Sequence, residues 1–192
     1  MLQSQLMKEV IFSTGNDGKF LTAKHVCGHF GIKLSQESAD IAEIQEENPE
    51  KVATDKASKA FTLLQRPVVI TDDSWAFKGL KGFPGVYMHS INVWFTPEDF
   101  LRLTLPLPDR AVVLTQYLVY CDGVTQKVFT KQTEGELLKE IRGASKHPSH
   151  TVITLSGDNG LSIAEAYDQT TDKSTRKSAQ IWKEFAEWFI KQ

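Results

Sequence analysis

Two adjacent carboxylates, Asp72 and Asp73, are the residues of this sequence whose types and spacing point most directly to chemistry. They follow residues 68–71, four apolar or β-branched residues that predict a short buried strand ending at the acids. Neighbouring carboxylates repel each other, so a partly desolvated pair needs a cation or a proton to compensate its charge. Mg²⁺ is a cation that such oxygen ligands favour. The alternative is that the two acids begin a turn and lie in water.

The segment T-G-N-D-G-K at 14–19 is a second candidate site. It follows a strand predicted over residues 9–14 and precedes a helix predicted to begin near Lys19, whose free N–H groups would attract phosphate. The segment is not a P-loop, because two residues separate Gly15 from Gly18 and neither Ser nor Thr follows the lysine. The alternative is a tight strand-to-helix connection with an exposed lysine.

Further along the predicted helix, His25 and His29 have the i, i+4 spacing that can chelate zinc. Cys27 lies between them on the side predicted to be buried, and the sequence suggests no third ligand. We therefore interpret the two histidines as part of a solvated helix face.

An acidic stretch at 41–48 precedes Pro49, and this proline fits the first turn of the next helix. Lys56 is predicted to project near the rim of that helix. Glu43 would help to hold a divalent ion if the fold brings it beside Asp73; otherwise the charges form a solvated face.

The remaining chain predicts structural elements. These are a capped helix start at 96–99, an antiparallel hairpin with strands at 111–120 and 124–133, a strand at 151–155 and a terminal helix at 174–190. The terminal helix carries a wide aromatic stripe, which is typical of core or dimer contacts.

Composition excludes several classes of function. The formal net charge is -2 and 24% of residues are charged, so there is no basic excess for binding a nucleic-acid backbone. The sequence contains neither a membrane-spanning apolar run nor a recognisable leader, which predicts a cytoplasmic protein. Cys27 and Cys121 lie far apart and predict reduced core thiols.

Read together, these segments resemble the inosine triphosphate pyrophosphatase family, which hydrolyses non-standard purine nucleoside triphosphates to monophosphates and pyrophosphate. The segment at 14–19 is similar to the family's T-G-N-x-x-K phosphate loop, E-I-Q at 43–45 to its E-x-Q metal segment, and K-A at 56–57 to the K-A of the next helix. D-D-S at 72–74 and L-K-G-F-P-G-V-Y at 80–87 are similar to its D-D-[ST] and L-x-G-x-P-G-x-Y core. The resemblance runs from about residue 8 to residue 143.

The resemblance implies a role for each matching residue. Glu43 and Asp73 would bind Mg²⁺, and Asp73, or Asp72 beside it, would deprotonate the water that attacks the α-phosphorus. Because the two acids titrate as a pair, the sequence does not decide which one holds the proton. The catalytic set is thus Asp73, Asp72 and Lys19. The implied contacts to the substrate are Thr14, Gly15, Asn16, Lys19, Lys56 and Ser74.

The sequence departs from the family pattern at three places. His89 stands where the family has Lys or Arg, and S-T-R at 174–176 keeps Arg176 but lacks the histidine of S-H-R. The F-G-[YW]-D-P segment, whose aromatic ring stacks on the base, is replaced by A-S-K-H-P at 144–148. His147 would then stack where the phenylalanine is missing, so His89, His147 and Arg176 complete the expected substrate contacts.

We therefore predict one α/β domain over residues 1–192, elongated and two-lobed, with a central curved mixed sheet flanked by helices. A nucleotide cleft would be lined by Lys19, Glu43, Lys56 and Asp73. The resemblance and the aromatic terminal helix predict a homodimer, with no nucleic-acid or membrane partner.

The predicted function is Mg²⁺-dependent pyrophosphohydrolysis of a nucleoside triphosphate, with an altered base preference. One alternative is a non-catalytic nucleotide-binding or regulatory relative that has lost productive base placement. Another is a phosphatase that uses the same metal chemistry on a different phosphorylated metabolite.

Overall fold

A computed structural model describes residues 8–170 and 177–192 of the chain. The strands are β1 (Glu9–Ser13), β2 (Lys33–Glu37), β3 (Val68–Phe77), β4 (Pro84–Gly85), β5 (Ala111–Cys121), β6 (Gln126–Leu137) and β7 (Ile153–Leu155). The α-helices are α1 (Asp17–His29), α2 (Pro49–Leu64), α3 (Met88–Trp94), α4 (Pro97–Thr104), α5 (Ile163–Gln169) and α6 (Ala179–Phe189). Short 3₁₀ helices lie at Lys78–Leu80 and Pro148–Thr151.

All seven of these strands belong to one mixed sheet. Its order is β2-β1-β3-β5-β6-β7, with β4 paired to β3. β1 runs parallel to β2 and β3, whereas the β3–β4 and β6–β7 pairs are antiparallel. A mixed sheet with helices between its strands in sequence confirms the predicted α/β class. No helix within residues 8–170 and 177–192 combines the length and apolar character needed to cross a membrane.

The described residues form two compact units. The first unit contains residues 8–72, 116–130 and 177–192, and the second contains residues 73–115 and 131–170. Strands β3, β5 and β6 contribute residues to both units.

The core of the first unit uses the aromatic face of α6. Trp182 and Phe185 are buried, and the Trp182 ring meets the Phe12 ring of β1 edge-on with centroids 4.8 Å apart. Ala23 and Cys27 of α1 belong to the same cluster. The aromatic stripe is therefore used inside the unit, so it no longer supports the predicted dimer contact. Cys27 and Cys121 are both buried free thiols, as predicted.

The second unit has a core of its own, built around Phe77, Phe100 and Leu137. Helix α4 delivers Phe100 to this core. The helix begins as predicted, because the Thr96 hydroxyl caps the Asp99 N–H and the Asp99 carboxylate accepts from the Thr96 N–H.

The prediction that the β3 strand ends at the two acids is wrong. The strand continues through Asp72 and Asp73 as far as Phe77. It does so because Trp75 and Ala76 pair with Gly85 and Pro84 of β4, which supplies hydrogen-bonding partners beyond the acids.

Other boundaries shift for local reasons. Helix α1 begins at Asp17 rather than near Lys19. Helix α2 begins at Pro49, which lies in its first turn as predicted. The returning strand of the hairpin begins at Gln126, two positions after the predicted start at 124, because Asp122 Oδ1 accepts the N–H groups of the intervening turn.

Two later boundaries also differ from the prediction. Residues 148–151 form a 3₁₀ helix, so β7 begins at Ile153 rather than at 151. Helix α6 begins at Ala179 rather than at the predicted position 174. Positions 174–176 lie outside the described residues.

Candidate functional site

The glycine-containing loop between β1 and α1 is ordered by its own side chains. Thr14 Oγ1 accepts the Asn16 N–H at 3.1 Å, and Asn16 Oδ1 accepts the Lys19 N–H at 3.0 Å. Asn16 is therefore the N-cap of α1. Gly15 and Asn16 are exposed, while Lys19 is partly buried in the first turn. The predicted phosphate-binding residues thus do come together at a helix N-terminus, the kind of position that favours an anion.

Gln36 of β2 holds this loop from the side. Its Nε2 donates to the Thr14 carbonyl at 3.1 Å and to Asp17 Oδ1 at 3.1 Å. The parallel register places Gln36 opposite Phe12 of β1, close to the end of that strand. Sequence reasoning missed Gln36, because the strand register that brings it to the loop is not visible in the residues of β2 alone.

Three charged residues from separate parts of the first unit form an acidic cluster: Glu43, Lys56 and Asp72. The Lys56 Nζ lies 2.5 Å from Glu43 Oε1 and 3.8 Å from Asp72 Oδ2. The side chains of Lys56 and Asp72 are 25% and 29% exposed, and that of Glu43 is 55% exposed. The loop before α2, the helix itself and strand β3 therefore meet around one cation.

Lys59, one turn after Lys56 on α2, fixes the segment that carries Glu43. Its Nζ donates to the Ala42 carbonyl at 2.9 Å and pairs with Asp55 Oδ2 at 2.7 Å. Its role in tying down the acidic stretch depends on where the loop folds back onto the helix.

The acidic cluster has the chemistry that a divalent cation requires. Glu43 and Asp72 both direct oxygens at the Lys56 ammonium, so the position between the two carboxylates attracts a positive charge. Within residues 8–170 and 177–192, no group of three or more His, Cys, Asp or Glu side chains is gathered for metal binding. Mg²⁺ is commonly held by one or two carboxylates, with water and substrate phosphates completing its octahedron, so the residues present fit this ion.

The two adjacent acids have different surroundings. They are consecutive residues of β3, and successive side chains of a strand point to opposite faces of a sheet. Asp72 shares the Lys56 cation with Glu43, whereas Asp73 belongs to the second unit and interacts electrostatically with His150. The expected pairing of Glu43 with Asp73 on one ion remains a prediction.

A cluster of three aromatic rings in the second unit includes the predicted base-stacking residue His147. The His147 and His150 ring centroids lie 4.9 Å apart, and His150 stacks on Tyr167 at 5.8 Å. The His147 N–H donates to Ser145 Oγ at 3.1 Å, which fixes the start of the segment. Sequence reasoning missed His150 and Tyr167. A second histidine three positions after His147 was the available signal.

His150 is uncharged at neutral pH in this setting. Burial, followed by the nearby His147 and Lys146, lowers the pKa of His150 to about 4, although Asp73 acts in the opposite direction. A neutral imidazole between two other rings is suited to stacking rather than to binding phosphate.

The other predicted substrate contacts lie at separate places. Ser74 is buried on β3, and His89 is exposed on α3. Arg176 lies outside the described residues. Their predicted roles therefore stay predictions.

Comparison with known proteins reveals close relatives in sequence. A dITP/XTP pyrophosphatase of Methanosarcina mazei is 28% identical over 185 residues, which covers 96% of this chain and 98% of that protein. An inosine triphosphate pyrophosphatase of Yarrowia lipolytica is 32% identical over 127 residues, covering 64% of this chain and 65% of the relative.

Solved structures share the fold. A HAM1 protein from Coxiella burnetii matches with a TM-score of 0.80 at 16% identity, covering 97% of this chain and 100% of that one. The Staphylococcus aureus Ham1 protein matches with a TM-score of 0.72 at 16% identity, covering 96% and 98%. A family model described as the Ham1 family matches residues 10–187, which is nearly the whole chain. The chain therefore belongs to the Ham1 family.

Proposed function

We propose that this chain hydrolyses non-standard purine nucleoside triphosphates, in ribo or deoxy form, to the monophosphate and pyrophosphate. The observation that carries the proposal is the acidic cluster, in which Glu43 and Asp72 share the Lys56 cation at distances of 2.5 and 3.8 Å. Relatives named dITP/XTP pyrophosphatase and inosine triphosphate pyrophosphatase support the choice of substrate class.

The triphosphate is bound by the loop at 14–19 and by Lys56. The exposed N-terminus of α1 presents backbone N–H groups and the positive end of the helix dipole. Asn16 and Lys19 lie in its cap and first turn, and Lys56 adds a second ammonium. Together these groups attract an ion that carries several negative charges.

Glu43 and the Asp72–Asp73 pair supply the carboxylates for Mg²⁺. The shared contact with Lys56 favours Asp72 as the partner of Glu43, whereas the motif resemblance favours Asp73. When bound, Mg²⁺ neutralises phosphate charge and stabilises the leaving pyrophosphate. Lys56 then turns its ammonium from the carboxylates to the phosphate oxygens.

Asp73, with Asp72 beside it, accepts a proton from the water that attacks the α-phosphorus. The new bond joins the water oxygen to that phosphorus, and the bond from the α-phosphorus to the bridging oxygen breaks. Pyrophosphate leaves with the bonding electron pair. A carboxylate can serve as the base because proton transfer accompanies attack on a phosphorus whose charge is compensated.

The base stacks on the His147 ring, which His150 and Tyr167 support from behind. An aromatic face built from these rings, with centroids 4.9 and 5.8 Å apart, supports this role for a segment that lacks the family phenylalanine. Ser74, His89 and Arg176 complete the proposed substrate contacts.

The decisive measurement is pyrophosphate release from ITP, XTP and dITP with Mg²⁺, using wild type, Asp72→Asn and Asp73→Asn. Loss of the base lowers kcat at saturating Mg²⁺, whereas loss of a metal ligand raises the Mg²⁺ concentration needed for half-maximal rate. We expect Asp73→Asn to lower kcat by about 10²-fold or more. Release of orthophosphate instead of pyrophosphate would identify a phosphatase and refute the proposal.

A non-catalytic nucleotide-binding function is the second candidate. The segment A-S-K-H-P at 144–148, in place of F-G-[YW]-D-P, favours it. Calorimetry with ITP separates the two functions: binding without turnover across a broad nucleotide panel supports the non-catalytic function, and turnover at ordinary enzymatic rates rejects it.

We also propose a cytoplasmic homodimer. The family resemblance supports this assembly, and sedimentation equilibrium measures it directly. A mass of 21.6 kDa at micromolar concentration would identify a monomer.

A further inference from the structure

We propose that His25 and His29 of α1 form a site for a transition-metal ion such as Zn²⁺, separate from the acidic cluster. Both histidines are exposed and lie one helical turn apart. Residues at i and i+4 face the same side of a helix, so their rings can reach one ion. Neither residue takes part in the proposed hydrolysis.

The hydrogen bond of His29 prepares it as a ligand. Its Nδ1 lies 2.8 Å from the His25 carbonyl oxygen. A carbonyl oxygen has no proton to give, so Nδ1 carries the hydrogen of this bond, and Nε2 is the nitrogen left to face an ion. Metal-binding histidines commonly donate their second ring N–H to a carbonyl or carboxylate in this way, which fixes the tautomer and orients the ring.

The separation of the two rings suits one shared ion. Their centroids lie 4.7 Å apart, with an angle of 67° between the planes. Zn–N bonds of about 2.0–2.1 Å at a tetrahedral angle place two imidazole centroids about 5 Å apart. The observed spacing is close to that value, so it is compatible with one ion shared by the two rings.

The nature of the site follows from its neighbours. Cys27 lies between the histidines in sequence but is buried, and burial raises the pKa of its thiol to about 12, so it does not supply a thiolate. Among the described residues, no third His, Cys, Asp or Glu joins the pair in a metal-binding group. Water therefore completes the coordination. Nitrogen ligands select Zn²⁺ or a similar ion over Mg²⁺, which prefers oxygen.

The test is calorimetric titration of the full, untagged chain with ZnCl₂ in excess Mg²⁺. The Mg²⁺ masks the acidic cluster. Wild type is compared with His25→Gln, His29→Gln and the control His89→Gln, which removes an exposed histidine from a different helix. We expect His25→Gln and His29→Gln each to weaken Zn²⁺ binding by about tenfold or more, and His89→Gln to leave it unchanged.

A thermal shift gives a second reading. Zn²⁺ should raise the Tm of wild type and of His89→Gln but not of the other two variants, because an ion that binds the folded helix stabilises it by mass action. The metal-free Tm of each variant verifies that it is folded, which their exposed positions lead us to expect. Wild-type Zn²⁺ affinity in either His25→Gln or His29→Gln would overturn the proposal.

Discussion

A single residue, Lys56, contacts both carboxylates of the acidic cluster. It lies between two carboxylates, and its removal would leave Glu43 and Asp72 without the cation that compensates them. The same ammonium is our proposed contact to the triphosphate. Removing Lys56 should therefore affect activity strongly and stability only slightly, because a surface ion pair contributes little to stability.

Lys56→Met should lower kcat/KM for ITP by about 10²-fold or more, because an ammonium that stabilises phosphate charge is lost. Steady-state kinetics at saturating Mg²⁺ measure this. Lys51→Met is the matched control, since Lys51 is an exposed residue of the same helix that pairs with Glu46. Equal activity of the two variants would argue against a substrate role for Lys56.

His150 makes stability depend on pH in a direction that can be worked out. Its pKa is about 4 in the folded chain and 6.5 in the unfolded reference, so the unfolded state binds more protons in this window. The free energy of unfolding therefore falls as the pH drops through this window. From about pH 7 to pH 4.5 this histidine alone should remove roughly 2–2.5 kcal/mol.

Urea unfolding of wild type and His150→Gln at both pH values tests this. The variant should show a smaller loss of stability on acidification, because the neutral amide has no proton to gain. Parallel losses in the two proteins would mean that other groups cause the acid sensitivity.

At the scale of elements, two helices begin with the same capping chemistry but are expected to differ in function. Asn16 Oδ1 accepts the Lys19 N–H at the start of α1, and Asn48 Oδ1 accepts the Glu50 and Lys51 N–H groups at the start of α2. Only the cap of α1 lies in the proposed phosphate loop.

Asn16→Ala and Asn48→Ala should each lower the free energy of unfolding by about 1 kcal/mol, the usual effect of losing an N-cap. The KM for ITP should rise in Asn16→Ala and stay unchanged in Asn48→Ala. Denaturant titration and kinetics measure the two effects separately. An unchanged KM in Asn16→Ala would show that the loop does not hold the triphosphate.

The pairing of elements also explains the main error of sequence-based reasoning. The residues of β3 read as a short strand because hydrophobic patterning is interrupted by two acids. The strand continues because β4 pairs with it at Trp75 and Ala76, a contact made by residues about ten positions further along the chain. Local patterning does not contain that information.

At the scale of the whole molecule, each compact unit has its own hydrophobic core. The terminal helix α6 contributes Trp182, Phe185 and Phe189 to the first unit, where all three are buried. The stability of that unit should therefore depend on the end of the chain.

Trp182→Ala should lower the free energy of unfolding by about 3–5 kcal/mol, because it opens a large cavity against Phe12. Trp188→Ala is the control, since Trp188 is partly buried at the edge of the same cluster and should cost clearly less. Equilibrium unfolding of both variants makes the comparison. A similar loss of unfolding free energy in both variants would contradict the prediction, because it would show that Trp188 contributes as much to the core as Trp182.

The sequence by itself determined the family, the α/β class and the local signals. The glycine loop, the Thr96 cap and the β5–β6 hairpin were predicted because each depends on residues within a few positions of one another. The motif resemblance to inosine triphosphate pyrophosphatases is likewise confirmed by the relatives and by the family match.

Only the tertiary structure decided which groups meet. It put Asp72 beside Lys56 and Glu43, Gln36 beside the loop at 14–19, and His150 and Tyr167 beside His147. These contacts depend on strand register and on the return of loops across many residues. Because a shift of one position along a strand reverses the face on which a side chain lies, the types and order of the residues could not fix them in advance.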